Sequence, residues 1–326
     1  MTRKFVLFLF VFVALSIIPF SVTAQDEEPM TIGFLPGVVD PFYQVMELGV
    51  NQAVADFGLN VVTQYPDTWG PTVQTPILDA MVARGDIDCL VTAPTDKEQM
   101  VAPLQAAIDA GIPVVTVDTF LGDGDYVNGP VTFPLSYIGS DNTEGGRIAG
   151  HALAAALGEE GTAYIQNTNV GVSTTEQRGQ GFREAIEMYP NMEIIGEDYN
   201  LDDANTSVEQ TTAVLQREPD LGGIFGVNVF SAQGAGTAVQ NAGLAGQTQV
   251  IAFDATQFAM ELLDNGTVSL VIAQKPYDMG YLGVEFCMAH ARGVTSLPPR
   301  VTTGFAVIDA ENRNDPEVAR FIYQVP

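Results

Sequence analysis

Short apolar runs rich in β-branched residues alternate with longer amphipathic segments along most of the chain. In Pro41–Phe57, the large apolar residues recur at three- and four-residue intervals, which predicts a helix with one buried face. Around it, the first series of predicted elements is strand Met30–Leu35, helix Pro41–Phe57, strand Leu59–Gln64, helix Val73–Arg84, strand Asp88–Thr92, helix Lys97–Ala110 and strand Ile112–Val117. This βαβαβαβ order, with nearly continuous apolar strands, is typical of a parallel sheet covered by helices on both faces.

The glycine- and proline-rich segment Leu121–Pro134 interrupts the alternation and is predicted to be a surface loop. A second series follows Tyr137–Gly139. Its predicted helices are Asp141–Leu157, Thr174–Met188, Ser207–Arg217, Ser231–Asn241, Gln257–Asn265 and Tyr277–Arg292, and its strands are Ala163–Gln166, Glu193–Gly196, Gly223–Gly226, Val250–Phe253 and Ser269–Ala273. Two successive units of this kind predict an α/β fold of two doubly wound parallel-sheet lobes. Because such sheets bind ligands beyond the carboxyl ends of their strands, the cleft between two lobes is the expected site.

The N-terminus has the pattern of an export signal. Arg3 and Lys4 precede the apolar run Phe5–Ile18, and Val22-Thr23-Ala24 provides small residues for cleavage after Ala24. The apolar run is shorter than the roughly 20 residues that a membrane-spanning helix needs, which argues against the alternative of an anchor. We therefore expect residues 1–24 to be a signal peptide and the mature protein to be periplasmic or extracellular.

Net charge excludes one class of partner. The formal charge is −27, and it becomes −29 without residues 1–24, which carry two positive charges and no acidic residue. A surface this acidic repels nucleic acid, and the lysine-poor sequence disfavours anionic membrane surfaces. The charge itself is sufficiently explained as keeping an exported protein soluble.

The chain has two cysteines, Cys89 in an apolar strand-like run and Cys287 on an apolar helical face. Buried free thiols are the expected state, with a disulfide as the alternative that an oxidising compartment would allow. Neither cysteine has metal-ligand spacing with His151 or His290, and no metal site or cofactor is predicted.

Polar and aromatic side chains follow several predicted strands directly, where the carboxyl ends of parallel strands meet. Carboxylates and amides can bind hydroxyl groups in pairs, while aromatic rings cover the C–H faces of a sugar. Singly, Asp40 and Asp118 could equally be helix caps or turn residues. The candidate ligand-binding set is Asp40, Phe42, Tyr43, Asp118, Arg178, Asn228, Asp254 and Gln274. Three carboxylates against one guanidinium disfavour anionic ligands and indicate a small neutral sugar or polyol.

Trp69, the only tryptophan, lies in a loop and either stacks on the ligand or anchors packing. Asp202 and Asp203 are expected to be solvated turn residues rather than a catalytic pair. Catalytic signatures such as His-Glu-x-x-His, Gly-x-Ser-x-Gly and the P-loop are missing from the sequence, so we expect a binding protein rather than an enzyme.

Several motifs resemble one family. Tyr137-Ile138-Gly139-Ser140-Asp141-Asn142 with Gly145-Gly146-Arg147 resembles a hinge crossing, and Arg178-Gly179-Gln180-Gly181-Phe182 resembles a sugar-contacting Arg-Gly-x-Gly-Phe. Over residues 31–308 the chain is similar to the type I, ribose-binding-protein-like periplasmic sugar-binding proteins of ABC importers. Asp40, Thr119 and Ala93 stand where the family pattern has Asn, Arg and Asn, respectively, which argues against ribose itself and makes Thr119 a further candidate contact.

The resemblance implies an architecture and a mechanism. Three crossings would join an N-terminal lobe of residues 25–140 plus 275–302 to a C-terminal lobe of residues 141–274 plus 303–326. Hinge closure on the sugar would present a monomeric protein to a membrane permease. The alternative is a sugar sensor for chemotaxis or signalling, with the same ligand chemistry. A sugar-responsive repressor would need a DNA-binding segment where this chain has its export signal.

Overall fold

A computed structural model describes residues 28–325, so the predicted signal peptide at residues 1–24 lies outside the described residues. In chain order, the first elements are β1 (Thr31–Leu35), α1 (Pro41–Phe57), β2 (Asn60–Thr63), α2 (Pro71–Arg84), β3 (Cys89–Thr92), α3 (Val101–Asp109), β4 (Val114–Val117) and β5 (Ser136–Gly139). The next are α4 (Asn142–Leu157), β6 (Glu160–Asn167), α5 (Ser173–Ile186), β7 (Asn191–Tyr199), α6 (Ala204–Arg217), β8 (Gly223–Gly226), α7 (Val229–Asn241), β9 (Gln249–Phe253), α8 (Gln257–Asp264) and β10 (Val268–Ala273). The last are α9 (Pro276–Ala291), β11 (Arg300–Thr302), β12 (Ala306–Ile308) and α10 (Pro316–Ala319).

The strands form two six-stranded sheets with matching orders, β2-β1-β3-β4-β5-β11 and β7-β6-β8-β9-β10-β12. All pairings in the first sheet are parallel, and the second has one antiparallel pairing, between β10 and β12. The predicted α/β class with two doubly wound lobes is therefore confirmed. The chain passes between the sheets three times, from β5 to α4, from β10 to α9 and from β11 to β12.

Most predicted elements are present with shifted ends. The helix predicted from Lys97 begins at Val101, because the Asp96 carboxylate accepts the backbone N–H groups of Glu98 and Gln99 and holds a turn there. β11, β12 and α10 were not predicted. Each has only three or four residues, too few to show a hydrophobic period.

The expectation of free thiols is wrong, because Cys89 and Cys287 form a disulfide. Cys89 begins β3 and Cys287 lies on the buried face of α9, which packs on the first sheet and brings the two Cα atoms to 5.9 Å. That separation lies within the range that a disulfide requires. The bond ties α9, which follows the second passage between the sheets, to the first sheet.

Candidate functional site

A cavity of about 390 Å³ lies between the two sheets. It is lined by Val38, Asp40, Phe42, Tyr43, Trp69, Asp118, Thr168, Val172, Thr174, Thr175, Arg178, Asp202, Asn228, Val229, Asp254 and Gln274. All eight candidate ligand-binding residues and Trp69 line this one cavity. Thr119 does not, since its buried hydroxyl donates to the Pro94 carbonyl.

On the first-sheet side, the loop after β1 and the start of α1 provide a carboxylate and two aromatic rings. Asp40 caps α1 by accepting the Tyr43 backbone N–H with Oδ1 at 2.8 Å. Asp40 is 7% exposed, and it also lines the cavity, so capping and lining are compatible roles of one residue. The rings of Phe42 and Tyr43 pack edge to face, and Trp69 stacks on Tyr43. The indole N–H of Trp69 donates to the Thr95 carbonyl, so this residue is both a packing anchor and part of the wall.

Asp118 and Asp254 occupy equivalent positions in the two sheets, directly after β4 and β9. Their backbone N–H groups donate to the carbonyls of Ile138 and Ile272 on the neighbouring strands. Both have positive φ angles, 60° and 76°. Side-chain-bearing residues rarely adopt this conformation, and it tends to occur at functional sites. Here it accompanies two carboxylates that follow equivalent strands of the two sheets and line the cavity.

Arg178 on α5 is the cavity's guanidinium and is 2% exposed. Its Nε donates to Asn142 Oδ1 at 2.8 Å, and Nη1 donates to the Val227 carbonyl at 2.9 Å. The same Nη1 lies 3.9 Å from Asp254 Oδ2, and the guanidinium lies over the Phe253 ring. Arg178 is therefore fixed from several sides and partly neutralises Asp254.

Two glycines in the quoted motifs explain how α5 reaches this position. α4 and α5 pack so closely that a Cβ at Gly146 would collide with the Arg178 carbonyl, and one at Gly181 would collide with the Thr143 carbonyl. Only glycine allows this approach without movement of a backbone. The motif glycines thus set the place of Arg178 through helix packing.

Gln274 connects the cavity to two of the passages between the sheets. Its Nε2 donates to Asp254 Oδ1 at 2.8 Å, and its Oε1 accepts from the Ser140 hydroxyl at 2.7 Å. Ser140 follows β5 and Gln274 follows β10, so the two residues are equivalents in the matching sheets. A carboxylate of the cavity is therefore bonded to the segments at which the chain changes sheet.

The expectation that Asp202 is a solvated turn residue is wrong. Asp202 lines the cavity, and its Oδ1 accepts from Asn228 Nδ2 at 2.7 Å. Asp203, by contrast, is exposed and caps α6. Leu201 and Asp202 both have positive φ angles, and this left-handed turn directs the chain after β7. The sequence signal is the Asp-Asp pair itself, but it does not distinguish the carboxylate that lines the cavity from the one that caps α6.

Four carboxylates against one guanidinium make the cavity strongly acidic. Burial raises the pKa of Asp118 to about 6, although Arg178 and the Tyr43 hydroxyl oppose this. Burial raises the pKa of Asp202 to about 6 as well, and the other carboxylates add to the effect. For Asp40 and Asp254 burial also raises the pKa. Each carboxylate is therefore costly to hold as an anion unless a partner supplies hydrogen-bond donors.

Contacts across the mouth of the cavity hold the two sides together. Lys97 Nζ lies 2.5 Å from Glu176 Oε2, and the Lys97 backbone N–H donates to the Gly171 carbonyl. The Phe120 backbone N–H donates to the Ser173 hydroxyl at 3.1 Å. Lys97 and Phe120 flank strands of the first sheet, whereas Gly171, Ser173 and Glu176 lie between β6 and the middle of α5. These contacts therefore join the two sides of the cavity.

Among residues 28–325, no helix has the length and apolarity needed to cross a membrane, and no group of His, Cys, Asp and Glu is arranged to hold a metal ion.

The chain is similar in sequence to proteins that are named as sugar-binding proteins. A D-ribose/D-allose-binding protein of Pseudomonas aeruginosa is 30% identical, over 86% of this chain and 88% of its own length. A ribose import binding protein of Escherichia coli is 28% identical, over 76% of this chain and 79% of its own length.

Two solved structures that are similar to this chain contain bound sugars. An ABC transporter solute-binding protein of Agrobacterium vitis, bound with α-D-tagatopyranose, is 44% identical with a TM-score of 0.88, covering 90% of this chain and 99% of that chain. A second protein of that organism, with bound D-fucose, is 27% identical with a TM-score of 0.84, covering 90% of this chain and 100% of that chain. The sequence model of the periplasmic binding protein domain matches residues 32–295, and the chain belongs to this family.

Proposed function

We propose that this protein is the solute-binding component of an ABC-type sugar importer and binds one small neutral monosaccharide or polyol in the cavity between its lobes. The observation that carries the proposal is the composition of that cavity. Carboxylates, two amides and a guanidinium converge with aromatic rings on the cavity between the two sheets. Relatives named for ribose and allose, and a solved structure with bound tagatopyranose, support the same ligand class.

The cavity's charge favours hydroxyl groups over anions. A sugar hydroxyl donates to a carboxylate and thereby supplies the partner that a buried anion lacks. A sugar phosphate or sugar acid would add a negative charge beside four carboxylates, with Arg178 as the one cation in the lining. The rings of Phe42, Tyr43 and Trp69 suit the C–H faces of a sugar ring.

Ligand binding would be coupled to closure of two lobes. The proposed lobes are residues 25–140 plus 275–302 and residues 141–274 plus 303–326, which meet at the three passages between the sheets. A sugar that contacts both lobes binds the closed form more tightly and shifts the population towards it. The contacts of Lys97 with Glu176 and Gly171 belong to that closed form.

The remaining parts of the proposal follow from an importer role. A monomeric protein would be exported through residues 1–24 to the periplasm or extracellular space. There it would present the sugar to a membrane permease that recognises the closed form. The ligand chemistry requires neither a cofactor nor catalysis.

Thermal unfolding with a panel of sugars tests the proposal. The panel contains D-ribose, D-allose, D-tagatose, D-fucose and linear polyols, with a sugar phosphate as the charged control. A micromolar ligand at millimolar concentration adds about 4 kcal/mol to the free energy of unfolding. Fluorescence of Trp69, the only tryptophan, reports the same event from the cavity wall. A protein that no neutral sugar stabilises, or that prefers the sugar phosphate, would contradict the proposal.

A further inference from the structure

We infer that the hydroxyl of Tyr323, near the C-terminus, is a positioning group that sets Asp254 for ligand binding and connects the C-terminal segment to the hinge. This inference rests on the proposed function. Tyr323 is 2% exposed and does not line the cavity, so it acts through another residue.

The Tyr323 hydroxyl is fully used in hydrogen bonds behind the cavity wall. It donates to Asp254 Oδ1 at 2.8 Å and accepts the Gln274 backbone N–H at 3.2 Å. The same Asp254 oxygen accepts from Gln274 Nε2 at 2.8 Å. With Oδ1 held by two donors, the carboxylate plane is fixed, and Oδ2 lies towards Arg178. Charge-assisted bonds of this kind are among the stronger ones in proteins.

The same residue contacts both sides of the closed form. Its ring lies 6.0 Å from that of Phe42, a cavity residue on α1, which packs on the first sheet. Through Gln274, whose Oε1 accepts from Ser140, the hydroxyl also reaches two passages between the sheets. Tyr323 is thus bonded to a cavity carboxylate and to the hinge, and it packs on an aromatic wall of the cavity.

A matching arrangement in the first sheet supports a positioning role. Asp118, the equivalent of Asp254, accepts a hydrogen bond from the Tyr43 hydroxyl at 2.7 Å. Each cavity carboxylate at a strand end therefore has its own tyrosine. In the first case the tyrosine comes from α1, and in the second it comes from the last residues of the chain.

The C-terminal segment is held by its backbone. The Tyr323 N–H donates to the Ala255 carbonyl at 2.8 Å, and the Tyr323 carbonyl accepts from Gln257 Nε2 at 3.3 Å. Gln257 is exposed and belongs to α8, outside the cavity lining. Its side chain therefore gives a way to loosen the segment without altering the hydroxyl.

The test compares sugar affinity of Tyr323→Phe, Tyr164→Phe and wild type, measured by Trp69 fluorescence with the best sugar of the panel. Tyr164 is a matched control, because it is buried, it belongs to the second sheet, and its hydroxyl lies 2.9 Å from Asp198 Oδ2, away from the cavity. Loss of a bond to a charged group predicts an affinity about 10-fold lower for Tyr323→Phe and unchanged for Tyr164→Phe. Gln257→Ala, which keeps the hydroxyl, is expected to give a smaller loss.

A pH profile separates positioning from a general loss of packing. The Tyr323 hydrogen bond lowers the pKa of Asp254 against the dominant effect of burial. In Tyr323→Phe the carboxyl should therefore protonate at higher pH, and affinity should begin to fall at higher pH than in wild type.

Each outcome is decisive. If wild type binds sugar and Tyr323→Phe has the same affinity and the same pH profile, the inference is overturned. A loss of affinity in Tyr164→Phe equal to that in Tyr323→Phe also overturns it. If Tyr323→Phe does not fold, unchanged affinity in Gln257→Ala overturns it. Failure of wild type to bind any sugar instead overturns the proposed function.

Discussion

Asp254 contacts several other residues of the site. It accepts from Gln274 and Tyr323, faces Arg178 and follows β9 with a positive φ angle. A carboxylate held this way offers an acceptor of fixed direction, which a sugar hydroxyl can use without further ordering of the protein.

Asp254→Ala should weaken sugar binding strongly. A lost charge-assisted bond costs about 1.5–3 kcal/mol, and Arg178 would also lose its nearby anion. Calorimetric titration should show at least a tenfold weaker affinity than wild type. Asp220→Ala, which removes an exposed carboxylate outside the cavity lining, is the control and should bind normally. Equal affinities for Asp254→Ala and wild type would show that the ligand lies elsewhere.

The acidic cavity predicts a pH dependence of the ligand-free protein. Asp118 and Asp202 have pKa values of about 6 in the folded state, above the usual carboxyl value. Between pH 4 and pH 6 the folded state thus binds more protons than the unfolded state, so these groups make the protein less stable as pH rises through this window.

Asp202→Asn should reduce this slope, because it removes one of the titrating groups and a repulsive charge. Thermal melts of the ligand-free protein from pH 4 to pH 7 measure the slope of stability against pH. Asp220→Asn, which changes an exposed carboxylate, is the control. A slope in Asp202→Asn as steep as in wild type would show that Asp202 is not one of its sources.

Part of the site could be predicted from the sequence, because some of its residues directly follow predicted strands. Asp118 and Asp254 follow predicted strands directly, so their convergence follows from parallel-sheet geometry. Asp202 lies three residues beyond Tyr199, the last paired residue of β7, in a left-handed turn that only the folded chain reveals. Tyr323 is over 60 residues from Asp254, and nothing in the local sequence indicates that it returns there.

At the scale of elements, the packing of α9 on the first sheet explains why the chain must return to that sheet after completing most of the second. α9 contacts α1 and β4, and its Cys287 is bonded to Cys89 at the start of β3. The alternation of strands and helices was readable from hydrophobic pattern, but the cysteine pairing was not. It depends on how a helix 198 residues away lies on the sheet.

The disulfide should contribute to stability by restricting the unfolded chain. The double variant Cys89→Ala/Cys287→Ala should be about 2–5 kcal/mol less stable than wild type in denaturant unfolding. Sugar affinity should remain close to wild type, since neither cysteine lines the cavity. Unchanged stability in the double variant, or two free thiols in the native wild-type protein, would contradict this account.

At the scale of the whole molecule, an ion pair and hydrogen bonds join the two sides of the cavity. The Lys97–Glu176 pair joins a loop after β3 to α5, and under the proposed closure it would form only when the two sides approach. The Lys97–Glu176 pair should contribute little to the folding stability of either side, because both side chains are partly exposed. In the proposed mechanism, the pair would contribute to ligand affinity through the population of the closed form.

Lys97→Met should weaken sugar affinity by about two- to fivefold, in keeping with a partly exposed ion pair. The melting temperature without ligand should stay close to wild type. Arg84→Met is the matched control, since Arg84 pairs with Asp86 on one side of the molecule, and it should leave affinity unchanged. If Arg84→Met and Lys97→Met change affinity equally, surface charge rather than closure is responsible.

A crystal structure of the protein with the best-binding sugar of the panel tests the central claim most directly. The account predicts one sugar ring enclosed between the sheets, with hydroxyl groups bonded to Asp118, Arg178 and Asp254 and an aromatic ring of the wall against its C–H face. A sugar bound outside this cavity, or a cavity that stays empty while the sugar still stabilises the protein, would contradict it.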